Sequence, residues 1–368
     1  KQKTAYEIGV RLVGSEMCIR DRSDGGNLQV AIIGAGNFGT AVANIVSANG
    51  VPAYLWMRDP KQLAEIEKFG ENRRYLRGHP LEGKVTPTLD LEQAVTESDL
   101  LFITVPSASF REMSVELAPF VAKETYVVSG TKGVEAPNFN LMSQILEEEL
   151  PDRRIGTISG PNIAEEIADG HLTGTVVASR DPGLCECVQK VFASDTFRVY
   201  SSEDIYGVEL GGALKNIYAI VCGMAARLEV GQNTIAMLIT RSLAEMSRFA
   251  ESMGANPYTF LGLAGVGDLM VTCTSPLSRN YQLGFRIAGG LSLHEAMDEL
   301  GKLAEGVNTL HVVHQKREQL GVYMPLAEAL FHVLFEQGAI DEVVGGLMTG
   351  EQQVDVEFAK PTTWSVAN

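Results

Sequence analysis

Positive charge, cysteine and long apolar runs are all scarce in this chain, and each shortage closes off a class of protein. Lys and Arg total 30 against 46 Asp and Glu, a formal net charge of −16 over 368 residues. So acidic a balance argues against a nucleic-acid partner or an anionic membrane surface, although a local basic site can still hold a small phosphate. The longest strongly apolar run, residues 217–226, is far short of the ~18–20 residues that span a bilayer, so no integral membrane segment is expected. Five cysteines, Cys18, Cys185, Cys187, Cys222 and Cys273, form no even framework and read as free thiols of a reducing, cytoplasmic compartment. Cys185 and Cys187 lack the partners of a zinc site. His311 and His314 share a helix face without a third ligand and read as exposed or capping, so no metal is expected. No Ser–His–Asp or Cys–His set suggests itself.

What is present is ordinary for a soluble enzyme: 45% hydrophobic and 21% charged residues, in a chain long enough for two cores. Residues 1–22 fit neither a secretory signal nor a mitochondrial leader, because Arg11 and Glu16 interrupt any apolar core and three acidic residues are present. They are expected to be a non-native or disordered leader. Short apolar, β-branched runs recur at 28–33, 53–56, 100–105, 125–128, 155–158, 175–178 and 197–200. Stretches of helical period separate most of them, at 38–48, 109–120, 139–150 and 184–192. This alternation predicts βαβ units and a largely parallel sheet covered on both faces. The rhythm stops near Ser201; beyond it lie long helices only, at 205–228, 234–253, 292–300 and 309–320. The expected fold is therefore an α/β Rossmann-type dinucleotide-binding domain over 28–203, then an all-α catalytic domain over 204–350. A loosely ordered tail is expected over 351–368. The cleft between two such domains is a favoured place for a ligand.

Gly34-Ala35-Gly36-Asn37-Phe38-Gly39 follows the first strand and opens a helix. The glycines permit a tight turn, close approach of main chain to a pyrophosphate, and helix–strand packing, while the helix start offers free N–H groups. That context turns a weak pattern into a dinucleotide site. The second strand then runs into Met57-Arg58-Asp59, about 20 residues on, where a ribose is read. Arg58 suits a 2′-phosphate and Asp59 a 2′-hydroxyl, so NADP(H) is expected, with NAD(H) tolerated.

Further polar groups stand where elements end. Thr131-Lys132-Gly133 and Ser159-Gly160-Pro161-Asn162 follow strands at the edge where open sheets bind ligands. Glu209-Leu210-Gly211-Gly212-Ala213-Leu214-Lys215-Asn216 lies inside an apolar helix. Its paired glycines imply close approach of a neighbour, and its lysine, losing hydration, would suit acid–base work. Taken alone, a helical lysine more often snorkels to the surface. Gly265-Val266-Gly267-Asp268 places a carboxylate in a loop between helices, where an ordinary turn is the plain alternative. Ser278-Arg279-Asn280 at a helix start makes a phosphate grip, against the alternative of a solvated surface charge.

Together and in order, GAGNFGTA, LWMRD, NRRYL, TVPS, GTKG, SGPNIAEE, ELGGALKNIYAI, GLAGVGDLMVTCTSPLSRN and AEGV resemble the bacterial NAD(P)-dependent glycerol-3-phosphate dehydrogenases across residues 28–323. The resemblance implies cofactor contacts at Gly34, Gly36, Asn37, Phe38, Gly39, Arg58, Lys132, Ala164, Arg279, Leu303 and Glu305. It implies substrate contacts at Lys132, Gly160, Asn162, Lys215, Asp268, Ser278, Arg279 and Asn280. Lys215 would be the general acid and base, with Asp268 and Lys132 beside it, in reducing dihydroxyacetone phosphate to sn-glycerol 3-phosphate. The family further implies a homodimer and a role in supplying glycerophospholipid synthesis. Asn162 stands where Ser or Thr is common, and Leu303 where Val is. The rival readings are a two-domain hydroxyacid dehydrogenase, which would grip a carboxylate, and a dinucleotide sensor without chemistry.

Overall fold

The computed structural model describes residues 28–301, 304–336 and 338–340; the expected leader 1–22 and tail 351–368 lie outside the described residues. Among the described residues, eight strands form one sheet: β1 (Val30–Ile33), β2 (Ala53–Trp56), β3 (Val85–Thr88), β4 (Leu100–Ile103), β5 (Tyr126–Ser129), β6 (Arg154–Ser159), β7 (Thr173–Ser179) and β8 (Phe197–Ser202). Their order is β3-β2-β1-β4-β5-β6-β7-β8, parallel throughout except where β6 meets β7. Interleaved with them are α1 (Asn37–Ala48), α2 (Pro60–Phe69), α3 (Leu91–Thr96), α4 (Phe110–Leu117), α5 (Met142–Glu149), α6 (Ala164–Ala168) and α7 (Pro182–Phe192). From Ile205 the described residues hold no strand, only α8 (Ile205–Arg227), α9 (Gln232–Ser252), α10 (Asp268–Thr274), α11 (Arg279–Ala288), α12 (Leu293–Leu300), α13 (Glu305–Leu320) and α14 (Pro325–Phe335), with short 3-10 and π turns before α10. No described helix is long and apolar enough to cross a membrane.

The sheet is covered on both faces, so its central strands β1 and β4 are apolar and buried at every position. On β1, Val30 and Ile32 join the core under α1, α2 and α7, while Ala31 and Ile33 face α3, α4 and α5. The sequence pattern does not announce β3, α2 or α3. β3 is an edge strand carrying Pro87, which only an edge tolerates, and α3 has six residues. α2 buries only Gln62 and Ile66.

The second core is built around α8, of whose 23 residues 19 are buried. Helices α9, α10, α11 and α13 and strand β6 all pack on it, so no side of it is left for water. Val134, Phe139 and Leu141, from the connection between β5 and α5, insert into this same core. Gly223 of α8 lies against the Tyr281 carbonyl and Gly284 of α11 against the Ile220 carbonyl, letting the two helices cross with main chains nearly touching. Alanine is ordinarily the better helix former by ~1 kcal/mol, yet a Cβ at Gly284 would meet main chain and cost ~1–3 kcal/mol by overpacking. Gly284→Ala is therefore expected to lower the thermal midpoint in scanning calorimetry. A raised midpoint would mean that the helices have room to part.

Candidate active site

The loop after β1 turns at Gly34, whose φ of +116° a side chain would strain. Its carbonyl accepts a hydrogen bond from Thr104 Oγ1 at 2.8 Å. A Cβ at Gly39 would strike that same carbonyl, so α1 can begin this close to the sheet only with glycine there. Beneath the loop, Gln62 and Asn72 donate to the Ala35 carbonyl at 2.7 and 3.0 Å; neither stands out in the sequence, because a buried support has no pattern of its own. The N-cap, Gly36, brings no side chain to the first turn of α1, whose N–H groups and partial positive charge suit a pyrophosphate. A glycine cradle at a helix start thus fits a dinucleotide. Asn37 Nδ2 donates to Glu165 on α6 at 2.7 Å, and Phe38 meets Phe102 edge-on, so both are fixed in place.

At the end of β2 the two candidate ribose readers divide. Asp59 caps α2 through the Lys61 N–H at 2.9 Å and pairs with Arg74 at 2.8 Å. The Lys61 N–H, and then Arg74, hold its carboxyl below the ordinary value. Arg58 is exposed, in loose pairs with Glu112 and Glu116 of α4 at 3.9 and 3.5 Å. Exposed pairs of this kind are worth little, so its guanidinium is available to a phosphate.

The lysines converge on one carboxylate. Asp268 is fully buried, and it is the first residue of α10, following a π turn, not part of a loop as its flanking glycines suggest. Lys132 Nζ, beyond the carboxyl end of β5, donates to Asp268 Oδ2 at 2.7 Å and to the Gly160 carbonyl at 2.9 Å. Lys215 Nζ donates to Asp268 Oδ1 and, at 2.7 Å, to Thr272 Oγ1. The hydroxyl of Thr272 in turn donates to the Asp268 carbonyl at 2.6 Å. Each ammonium carries three N–H groups and spends two here, leaving one apiece for a ligand. Lys215 does not snorkel: it is buried, and burial, reinforced by Lys132 but opposed by Asp268, brings it down from 10.5 to about 8. Sequence reasoning assigned Thr272 no role; its position one helical turn after Asp268 is the signal that could have found it.

The paired glycines meet the neighbours their presence implied. Gly211 lies against the Ala264 carbonyl, and a Cβ on Gly212 would stand 2.6 Å from Ser159 Oγ. Asn162 donates to Thr175 Oγ1 at 2.9 Å, while its Oδ1, like Ser159 Oγ, is buried with no protein partner. Ala164 is the buried first residue of α6. Asn280 donates to Asn216 Oδ1 and accepts from the Gly306 N–H, both at 3.0 Å, tying α8, α11 and α13 together beside Lys215. Ser278 caps α11, and Arg279 opens it, exposed. Glu305, at the start of α13, accepts from Ser107 Oγ at 2.6 Å across the seam between the halves. Burial pushes its carboxyl up, against the Ser107 contacts and the nearby Arg279 charge.

The structure thus joins Lys132, Gly160, Lys215 and Asp268 directly and brings Asn280 to them through Asn216. Arg58 stands apart, and Leu303 lies outside the described residues. His314 stacks on Phe331 with ring centroids 3.6 Å apart, a packing role in place of the exposed or capping one expected. The described cysteines are free, and no metal-binding cluster occurs among the described residues.

Two family models match, one to each half: the N-terminus of NAD-dependent glycerol-3-phosphate dehydrogenase over residues 29–185, and its C-terminus over 204–345. Glycerol-3-phosphate dehydrogenase [NAD(P)+] of Saccharophagus degradans is 56% identical over 329 residues, 89% of this chain and 92% of that one. The enzyme of the same name from Teredinibacter turnerae is 54% identical over 90% of this chain and 98% of its own. A crystal structure of glycerol-3-phosphate dehydrogenase from Coxiella burnetii superposes with a TM-score of 0.84 at 32% identity, covering 88% of this chain and 99% of that one. With both halves matched in order and the glycine cradle and paired lysines in place, the chain belongs to the NAD-dependent glycerol-3-phosphate dehydrogenase family.

Proposed function

We propose that this protein reduces dihydroxyacetone phosphate to sn-glycerol 3-phosphate, reversibly, with Lys215 as the general acid and base. The observation that carries the role of Lys215 is its burial on α8 in a cluster of two ammonium groups and one carboxylate. Such a cluster has a net charge of +1 and suits an oxygen on which negative charge develops. Gly34, Gly36, Asn37, Phe38, Gly39 and the first turn of α1 would hold NADPH or NADH, which would supply the hydride. The free N–H of Lys215 polarises the substrate carbonyl and then passes its proton to the oxygen, leaving a neutral amine that solvent reprotonates. Asp268 holds both lysines, and Lys132 fixes the substrate beside Gly160 and Asn162. Ser278, Arg279 and Asn280 grip the phosphate at the start of α11, where the helix end adds its own partial positive charge. Ala164, Leu303, Glu305 and Arg279 complete the cofactor site, and Arg58 reads the ribose phosphate.

In this reading residues 28–203 and 204–350 are the nucleotide-binding and catalytic domains of a cytoplasmic homodimer that supplies glycerophospholipid synthesis. Among the rivals, a sensor without chemistry has no need of a buried lysine brought down to about 8. A hydroxyacid dehydrogenase would turn over carboxylate substrates and ignore the phosphate triose.

Three measurements test the assignment. Reduction needs Lys215 protonated and oxidation needs it neutral, so kcat/KM for reduction should fall, and kcat/KM for oxidation rise, through about pH 8. Lys215→Ala should lose ~10²–10⁴-fold in kcat and flatten that limb; near-wild-type turnover in the variant removes the lysine from the mechanism. Arg279→Ala should raise KM for dihydroxyacetone phosphate ~10- to 100-fold, the worth of one or two charge-assisted hydrogen bonds, and an unmoved KM would place the phosphate elsewhere. Arg58→Ala should cut kcat/KM about tenfold or more with NADPH and far less with NADH. Equal losses would take cofactor choice away from Arg58.

A further inference from the structure

Glu209 takes no part in the chemistry above, yet it is a buried carboxylate on the helix that carries Lys215. Its Oε1 accepts a hydrogen bond from the Ser143 main-chain N–H at 2.9 Å, and its Oε2 bonds the Ser143 hydroxyl. Ser143 is the second residue of α5, a helix of the sheet half whose N-cap, Leu141, has no side-chain oxygen to offer. A carboxylate from the helical half therefore caps a helix of the sheet half. Burying a carboxylate is costly, and packing alone would be served better by an apolar side chain.

The surroundings on α8 indicate what the contact does. Glu209 precedes Lys215 by six residues, ~9 Å along the axis and about two-thirds of a turn around it, so the two side chains leave the helix on different sides. Between them stand Gly211 and Gly212, which let α8 slide close under the Ala264 carbonyl and Ser159 but offer no side chains to interlock. Leu210, Ala213 and Leu214 pack in the helical core, so on the glycine face register is left to the polar contacts at either end of this stretch.

We infer that Glu209 is a positioning residue for the reaction: clamped on Ser143, it sets the depth and rotation at which α8 presents Lys215 to Asp268. The proposal rests on the reading of Lys215 as the acid. Burial, and the charge of Glu147 on α5, push the Glu209 carboxyl up to about 7, yet both contacts survive titration. The ionised form accepts from the Ser143 hydroxyl, whereas the neutral form donates to it. Glutamine satisfies the same pair, its carbonyl accepting the N–H and its amide donating to the hydroxyl.

The test compares Glu209→Ala, Glu209→Gln and Ser143→Ala in the full chain, by steady-state kinetics across pH and by thermal unfolding. Glu209→Ala should lose ~10- to 100-fold in kcat, as expected for a displacement of about 1 Å at the reacting group. Its KM for the reduced dinucleotide should stay within about twofold, and the limb near pH 8 should shift. Glu209→Gln should restore kcat to within about threefold of wild type and return the limb to its place. Ser143→Ala keeps the main-chain contact and should lose only a few-fold in kcat. If Glu209→Ala does not fold, the other two variants decide: impaired kcat in Glu209→Gln, or unaltered kcat and limb in Ser143→Ala, overturns the proposal. So does a folded Glu209→Ala enzyme with full kcat. Full turnover in Lys215→Ala, by contrast, strikes the reading of the acid and is seen separately.

Discussion

The burial of α8 is the constraint from which the rest of the site follows. A helix with 19 of 23 residues out of water must satisfy each polar side chain it carries with protein. Glu209 meets Ser143 of α5, Lys215 meets Asp268 and Thr272 of α10, Asn216 meets Asn280 of α11, and Tyr218 meets Glu245 of α9. Glu245 also accepts from the first-turn N–H groups of Leu326 and Ala327 on α14. Five partners from four elements thus hold α8 at defined depth and rotation. Satisfying the helix and aiming its lysine are one and the same arrangement.

The charge of the cluster sets a second condition. Two ammonium groups around one carboxylate are stable in a buried place only because Asp268 divides its oxygens between them and the Gly160 carbonyl and Thr272 hydroxyl take further N–H groups. The residual positive charge sits in a chain of net charge −16. At physiological salt the surrounding acid is screened beyond ~8 Å, so a small anion feels chiefly the local cluster. The acidic composition excluded extended polyanions without excluding a small phosphate for that reason.

Local rules made much of this legible. The glycine turn, the strand rhythm to β8 and the long apolar helix follow from spacings of a few residues, and the paired glycines of α8 announced the close neighbours they have. Asp268 misled as a loop residue because glycines normally break helices, whereas here Gly265 and Gly267 lie in a π turn that runs straight into α10. β3 stayed hidden because an edge strand of four residues with a proline has neither alternation nor an apolar run. Gln62, Asn72 and the Glu209–Ser143 clamp were invisible for a different reason. Each acts across 10 to 66 residues of chain, and no periodicity encodes such a meeting.

Three contacts near the site cross the seam between the halves, and they differ in kind. Lys132–Asp268 and Ser107–Glu305 use groups that the proposed reading also assigns to ligands, so on that reading binding would share them. The third N–H of Lys132 allows sharing, because a substrate oxygen can be engaged without surrendering Asp268. Glu305 accepts from the Ser107 hydroxyl with Oε2 and from the Ser107 N–H with Oε1, and each oxygen keeps a lone pair for a further donor. Glu209–Ser143 uses no ligand-binding group and can persist through the whole cycle. If Lys215 is the acid, its place has to hold while ligands come and go, which needs a crossing that no ligand competes for. Among the three, only the clamp on Ser143 meets that description.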